Sequence, residues 1–280
     1  MIPAGTEIDL KLAVEIQSLA TVKISALRNN VTISTGTGFF IRSESGLLGI
    51  YTCWHVVTCR NPNAPQKLLN GVPDSPDELE VVYFGHDGLP HTFRQRLYNG
   101  KGNAIWLQRQ AVDEFADAAL LPIETATPNA VAINDRLANE ISFGNDAPKL
   151  EKPSPEHLLR VSADIFVVGY PDIVESRSSG LPIWKKGSIA SEPQTRMPTF
   201  LIDATTNSGF SGSPVLCDVG RSRNMFTISK KLPLDLIGIY SSHITHDRYD
   251  PSIGVVWKMS AAPWFDCPRG ENPFPPIVNT

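Results

Sequence analysis

Ser211 lies between two glycines in the stretch Asn207-Ser208-Gly209-Phe210-Ser211-Gly212-Ser213-Pro214, which opens into the apolar run Val215-Leu216-Cys217. A serine on such a tight turn is a small hydroxyl nucleophile with backbone N–H groups on either side. The amides of Gly209 and Ser211 would meet at one point and stabilise an oxyanion, provided that Gly209 adopts a conformation that a side chain forbids. The alternative is an ordinary Gly/Ser/Pro loop between two strands.

Two other stretches supply a base and an acid. The apolar segment from Leu47 to Val57 reads as a strand that carries His55, and Asp117 stands at the mouth of the apolar run Ala118-Ala119-Leu120-Leu121. Histidine, aspartate and serine thus occur in the chain order of one known type of catalytic triad. Nearby residues compete for two of these roles: Asp113 and Glu114 with Asp117, and Ser208 and Ser213 with Ser211.

Seven short pieces, in order along the chain, resemble the chymotrypsin-fold (trypsin-like) serine peptidases, and more closely their bacterial branch of HtrA-like and glutamyl-endopeptidase-like enzymes. The pieces are Gly36-Thr37-Gly38-Phe39-Phe40-Ile41, the segment ending at His55, Asp117 to Leu121, Val168-Gly169-Tyr170-Pro171, Lys186-Gly187-Ser188-Ile189-Ala190, Asp203 to Pro214, and Leu236-Ile237-Gly238-Ile239-Tyr240. Each piece is weak alone, but their joint order is specific.

The fold class is predicted to be all-β, because short strands alternate with Gly, Asn and Pro turns and almost no helical periodicity is present. The resemblance implies two six-stranded antiparallel Greek-key barrels preceded by a short helix. The predicted units are a helical segment (1–20), a first barrel with the histidine and aspartate (21–124), a linker (125–160), a second barrel with the serine and the pocket (161–262), and a Pro-rich tail (263–280).

The same resemblance implies a function: a serine endopeptidase that hydrolyses peptide bonds of a protein or peptide substrate through an acyl-enzyme, with no cofactor and no metal. The residues that match the family pattern are His55 as general base, Asp117 as its orienting acid and Ser211 as nucleophile. The oxyanion hole would be formed by the amides of Gly209 and Ser211, and Ser241 would hydrogen-bond Asp117.

In this family the pocket for the cleaved residue is set by the position six before the nucleophile and by the strand after Gly238. These positions point to Thr205, Thr206, Tyr240 and His243. None of the four carries a negative charge that could pair with a lysine or arginine side chain. We therefore expect a small or medium uncharged side chain at the cleavage point.

Phe210 departs from the family pattern. Trypsin has at this place an aspartate that accepts a newly cut N-terminal ammonium, and the bacterial relatives usually have asparagine. Phenylalanine cannot accept that charge, so activation by N-terminal cleavage is disfavoured and the conformation of the oxyanion hole is in question. A regulatory protein partner that orders the loop would fit this departure.

Composition bounds the remaining function classes. A net charge of -4 without a long basic run argues against a nucleic-acid partner. The sequence contains no run of 18 apolar residues, so no membrane-spanning segment is expected. Charged residues interrupt the amphipathic pattern at 6–20, so no signal peptide is expected and the predicted location is cytoplasmic. Cys53, Cys59, Cys217 and Cys267 are few for this length and are expected to be free thiols.

Three alternatives remain open. A catalytically silent protease fold would serve as a binding or interaction module. An α/β-hydrolase would use the serine of Gly209-Phe210-Ser211-Gly212, although Ser213 stands where its motif needs glycine. A zinc site would use Cys53, His55 and Cys59, although the sequence has no second ligand cluster at the usual distance.

Overall fold

The computed structural model describes residues 14–109, 116–135, 159–172, 180–217, 234–244 and 252–269. Within these ranges the secondary structure is mostly β, in agreement with the predicted class. Two short helices are present, α1 (Ile16–Ala20) and α2 (Trp54–Thr58). No helix in the described part of the chain is long and apolar enough to cross a membrane.

A six-stranded sheet forms the first structural unit, with strand order β7-β6-β1-β2-β3-β8. Its strands are β1 (Thr21–Arg28), β2 (Val31–Arg42), β3 (Leu48–Thr52), β6 (Glu78–Phe84), β7 (Pro90–Arg96) and β8 (Ala119–Pro122). A separate small hairpin, β4 (Arg60–Asn61) with β5 (Ala64–Leu68), lies between β3 and β6 in the chain. Inward-facing Val22, Ile24, Phe40 and Ile50 belong to the core of this unit.

Among the described residues, no continuous ladder joins the outer strands β7 and β8, so the first unit is observed as a sheet and its predicted closure into a barrel stays a prediction. The sequence predicts a hairpin in which residues 93–98 and 104–107 flank a turn at Asn99 to Asn103. In the structure the second of these segments makes isolated bridges, from Ala104 to Tyr98 and from Leu107 to Leu120 of β8. The turn at Asn99 to Asn103 is closed by the Asn99 amide, which donates to the Asn103 carbonyl at 2.9 Å.

The second unit is a closed six-stranded barrel, with strand order β10-β11-β14-β13-β12-β9. Its strands are β9 (Asp164–Gly169), β10 (Ile183–Ile189), β11 (Thr199–Asp203), β12 (Pro214–Cys217), β13 (Asp235–His243) and β14 (Ile253–Lys258). If β4 and β5 are set aside, the strand order of the first sheet matches that of the barrel. All ladders among the described residues are antiparallel, so the α/β-hydrolase alternative, which needs parallel strands, is wrong.

The segment that follows β14 returns to the first unit. A 3-10 turn at Met259–Ala261 leads to Pro263, whose carbonyl accepts a hydrogen bond from the Tyr51 hydroxyl. Phe265 packs against Gly49, where an added Cβ would lie only 3.0 Å from the ring. The start of the predicted tail therefore completes the core of the first unit.

The predicted unit boundaries stay a prediction. Only the part of the N-terminal helix at Ile16–Ala20 is seen, and residues 1–13 lie outside the described ranges. Most of the predicted linker, residues 136–158, also lies outside them. At its edges, Ala132 belongs to the first core and Leu159 to the second.

Candidate active site

His55 stands on a single helical turn, whereas the sequence predicted a continuous strand to Val57. The strand β3 ends at Thr52, and α2 then carries His55 with Cys53 as its N-cap residue. The Cys59 amide donates to the His55 carbonyl (2.8 Å), and Cys59 ends the turn with a positive φ of 56°. The β-branched residues Val56 and Val57 favour a strand in isolation, but tertiary contacts of this segment override that preference.

The Asp117 carboxylate holds His55 from two sides. One oxygen, Oδ1, accepts the His55 backbone N–H (2.9 Å), and the other, Oδ2, lies 2.7 Å from His55 Nδ1. Oδ2 also accepts the Ser241 hydroxyl at 2.5 Å. Burial alone would raise the pKa of Asp117, but the His55 imidazole and these hydrogen bonds outweigh it, and the pKa lies below its usual range.

This pairing determines the tautomer of the imidazole. A carboxylate can only accept, so the proton of a neutral His55 resides on Nδ1, where it is donated to Asp117. The other ring nitrogen, Nε2, is then unprotonated and can take a proton. The side chain of His55 is 13% exposed, and that of Asp117 is 2% exposed. The imidazole of His55 is therefore partly exposed, whereas the carboxylate of Asp117 lies in the interior.

Ser211, in the second unit, is connected to the His55–Asp117 pair through Ser241. The hydroxyl of Ser211, a half-buried residue, donates a hydrogen bond to the Ser241 carbonyl oxygen at 2.9 Å. Ser241 thus contacts the predicted nucleophile through its carbonyl and the predicted acid through its hydroxyl. The structure brings His55, Asp117, Ser211 and Ser241 together, with the serine hydroxyl turned to Ser241 instead of His55.

Gly209 adopts a backbone conformation that a side chain would forbid, as the sequence predicted. Its φ is +96°, and an added Cβ would lie 2.3 Å from the Tyr170 carbonyl oxygen, so glycine is needed on both grounds. The Ser208 carbonyl accepts a hydrogen bond from the Asp172 amide at 3.1 Å. Within the described part of the chain, the amides of Gly209 and Ser211 donate to no protein acceptor. Both N–H groups are therefore available to a ligand oxygen.

Thr37 fixes this loop from the first unit. It is fully buried on β2, and its hydroxyl accepts the Tyr170 amide (2.9 Å) and donates to the Gly209 carbonyl (2.7 Å). Its own amide donates to the Ser211 carbonyl at 2.8 Å. The sequence indicated that Thr37 belongs to a family motif but did not predict a role for its side chain. Its place between two glycines, where backbone segments approach closely, was the available signal.

The predicted pocket residues divide into three locations. Thr206 and Tyr240 are buried together and share a hydrogen bond between their hydroxyls. Thr205 is exposed and its hydroxyl donates to Ser252 at 3.4 Å, facing a shallow pocket of the barrel wall. His243 is exposed at the end of β13. The structure therefore joins two of the four residues and leaves the other two apart.

A metal-ligand cluster of suitable spacing coincides with the His–Asp pair. Possible ligand atoms of Cys53, His55 and Asp117 lie within 4.8 Å of one another, in place of the Cys53, His55 and Cys59 set weighed from the sequence. Burial raises the pKa of the Cys53 thiol well above its usual value, and the thiol donates to the Tyr240 carbonyl at 3.2 Å. A metal ion at this place would have to displace the hydrogen bonds that the Cys53 thiol and the Asp117 carboxylate already make.

Residues 36–222 match the family model of the trypsin-like peptidase domain, which is more than half of the chain. The chain belongs to the trypsin-like peptidases. This confirms the resemblance found in the sequence and the classification as a serine peptidase, a hydrolase of the chymotrypsin fold. No curated protein sequence matches the chain.

Three solved structures that are similar to this trypsin-like peptidase are all proteases. The HtrA-type protease AlgW, solved with a tripeptide, is 16% identical with a TM-score of 0.48, over 88% of this chain and 58% of that one. A serine endoprotease from Yersinia pestis is 17% identical with a TM-score of 0.46, over 89% and 64%. The Rv3671c protease from M. tuberculosis in its active form is 16% identical with a TM-score of 0.45, over 93% and 86%. The chain thus spans less than two thirds of the first two structures.

Proposed function

We propose that this chain is a serine endopeptidase that cleaves peptide bonds through Ser211, His55 and Asp117. The observation that carries the proposal is the hydrogen-bonded group in which Asp117 holds His55 Nδ1 while Ser241 contacts both Asp117 and Ser211. In this proposal the base and the acid come from the first unit and the nucleophile from the second, and the side chains of His55 and Ser211 are both partly exposed. Family membership supports the same reaction class.

The first half of the reaction forms the acyl-enzyme. The Ser211 hydroxyl rotates from the Ser241 carbonyl towards His55 Nε2, which takes its proton as Oγ attacks the peptide carbonyl carbon. The carbonyl oxygen becomes an oxyanion and accepts hydrogen bonds from the Gly209 and Ser211 amides. The imidazolium of His55 then gives its proton to the leaving nitrogen, the C–N bond breaks and an ester to Ser211 remains.

The second half releases the product by the same groups. His55 takes a proton from a water molecule, whose oxygen attacks the ester carbonyl in the same hole. The C–Oγ bond then breaks, Ser211 recovers its proton from His55, and a carboxylic acid leaves. Asp117 remains ionised throughout and stabilises the imidazolium.

A covalent serine probe tests the proposal. Wild-type protein should be labelled by a fluorophosphonate, whereas Ser211→Ala and His55→Ala should lose labelling and about 10^6-fold in kcat, and Asp117→Asn should lose about 10^4-fold. Ser45→Ala, in the exposed turn after β2, is the matched control and should behave as wild type. Retention of more than a few per cent of activity by Ser211→Ala would remove it as nucleophile.

A silent binding module is the second candidate, favoured by one observation. The Ser211 hydroxyl donates to the Ser241 carbonyl, where it is not activated by His55. A binding module would take up peptides equally well as wild type and as Ser211→Ala, and would show no labelling. A regulatory partner would instead make labelling appear on its addition.

We further propose that the cleaved residue has a small or medium uncharged side chain. Tyr240 is buried with Thr206, and its ring lies over Gly254, where an added Cβ would come within 2.7 Å of Tyr240 Cε2. A filled pocket without a carboxylate offers no partner to a basic side chain. A peptide-library cleavage profile tests this: enrichment of Arg or Lys would contradict it, and enrichment of Glu that is lost in His243→Ala would replace it with acidic specificity.

A further inference from the structure

The orientation of one peptide bond decides whether the oxyanion hole exists. In a trans peptide the C=O of Ser208 and the N–H of Gly209 point to opposite sides. Whatever holds the Ser208 carbonyl therefore also aims the Gly209 N–H. In this structure the Asp172 amide holds that carbonyl, with a hydrogen bond of 3.1 Å.

The Asp172 side chain contacts the same residue a second time. Its Oδ2 accepts the Ser208 hydroxyl at 2.7 Å, so Asp172 grips Ser208 through both main chain and side chain. Its Oδ1 accepts the hydroxyl of Thr35, on strand β2 of the first unit. One carboxylate thereby links the edge of the predicted hole to the first sheet.

A cation stands near this carboxylate on strand β1. Burial lowers the pKa of Lys23, and the negative charge of Asp172 acts in the opposite direction on the same group. The charge of Asp172 is therefore felt by a half-buried lysine of the first unit.

The loop at residues 207–214 contains no charged side chain that could orient the Ser208–Gly209 peptide. Phe210 is fully buried in the core of the barrel, where an added Cβ at Gly169 would come within 2.7 Å of its ring. A phenylalanine cannot form an ion pair or accept a hydrogen bond that would orient the neighbouring peptide. The group that restrains the loop comes instead from the segment Tyr170-Pro171-Asp172, which lies directly against Gly209.

We propose that Asp172 is a positioning residue that keeps the Ser208–Gly209 peptide turned so that the Gly209 N–H faces the reacting carbonyl oxygen. Asp172 acts through Ser208 and Gly209 and does not touch the substrate carbonyl. The inference rests on the proposed peptidase function and deepens it. Nothing in the local sequence signals this role, because the two partners are 36 residues apart in the chain.

Steady-state kinetics give the first test. Asp172→Ala should lower kcat by about 10- to 100-fold with little change in KM, below the 10^2- to 10^3-fold expected for complete loss of one oxyanion donor. Asp172→Asn keeps the shape and some hydrogen bonding, so its loss should be smaller. The matched control is Asp164→Asn, an aspartate at the opposite end of β9 that pairs with Lys186, and it should retain wild-type kinetics.

Ligand binding separates positioning from a general structural effect. A peptide boronic acid forms a tetrahedral adduct on Ser211 and places an oxygen in the hole, whereas the matching peptide on a Ser211→Ala background reports ground-state binding. Asp172→Ala should weaken the boronate by about tenfold or more and leave peptide binding within about twofold. Equal losses in both, or unchanged kcat, would overturn the inference.

A readout that needs no activity keeps the two proposals distinguishable. In protein labelled with 15N-glycine, the Gly209 amide resonance should move in Asp172→Ala and stay in place in Asp164→Asn. If the wild type is never labelled by the serine probe but Gly209 moves, the peptidase proposal fails and the role of Asp172 in the loop stands. If the wild type is active and Gly209 does not move, the role of Asp172 is wrong. Should Asp172→Ala fail to fold, Ser208→Ala removes the same side-chain contact at an exposed position and answers the same question.

Discussion

Replacing Thr37 by valine tests the connection between the two units at the site. Valine keeps the shape of the threonine side chain and substitutes a methyl group for the hydroxyl. The Thr37 hydroxyl serves two buried backbone groups of the second unit, the Tyr170 amide and the Gly209 carbonyl. In Thr37→Val both lose their partner, so two unsatisfied groups are created by one substitution.

The expected magnitude follows from those two groups. Each buried group left without a partner costs about 1 to 3 kcal/mol, so Thr37→Val should reduce the free energy of unfolding by about 2 to 6 kcal/mol. Thr37→Ser is the matched control: it keeps the hydroxyl and removes one buried methyl group, at a cost of about 1 kcal/mol. Urea unfolding followed by tryptophan fluorescence measures the difference between the two variants.

Activity provides the second half of this test. Because the Gly209 carbonyl belongs to the peptide that follows the predicted oxyanion donor, Thr37→Val should also lower kcat in protein that is still folded, whereas Thr37→Ser should not. Equal stability of the two variants would refute the claim that the hydroxyl bonds matter. A destabilised Thr37→Val with wild-type kcat would refute the link from Thr37 to the hole.

Three further outcomes are expected. Ser241→Ala removes a hydrogen bond to the Asp117 carboxylate and should lower kcat by about 10- to 100-fold, with KM nearly unchanged in steady-state kinetics. The folded pKa of Asp117 lies below its unfolded value, so its contribution to stability is complete above about pH 4 and is lost as the pH falls through the folded pKa. Urea unfolding between about pH 2 and 6 should therefore show that the free energy of unfolding falls less steeply with acid in Asp117→Asn than in wild type. The four cysteines are free, so the intact mass should not change on reduction, and a shift of about 2 Da would indicate a disulfide instead. Under native conditions a thiol reagent should modify the partly exposed Cys267 before the buried Cys53, whose pKa is raised by burial.

The sequence predicted the site best where a residue and its local motif could be compared with a family pattern. The local motifs left rivals for Ser211 and Asp117, the resemblance to a family selected these two residues, and the structure brings them together with His55. The one-turn helix that carries His55 was missed, because Val56 and Val57 favour a strand and the contacts that bend the chain are tertiary.

Other features depend on contacts between distant segments and leave little trace in the sequence. Thr37 acquires its role from Tyr170 and Gly209, and Asp172 acquires its role from Ser208 and Thr35. Residues 104–107, predicted as one side of a hairpin, form isolated bridges in the structure instead of a ladder. Patterns in sequence report which face a residue occupies, but do not report which distant group it meets.

The return of residues 259–269 to the first unit affects the order in which the protein matures during synthesis. The first sheet leaves the ribosome before the barrel, yet Phe265 and the partner of the Tyr51 hydroxyl, Pro263, are made after the barrel's last strand. A nascent chain therefore carries His55 on an incomplete core until Pro263 and Phe265 have been translated. A nascent chain that ends before residue 263 consequently lacks part of the core of the unit that carries His55, even when the strands of the barrel are complete.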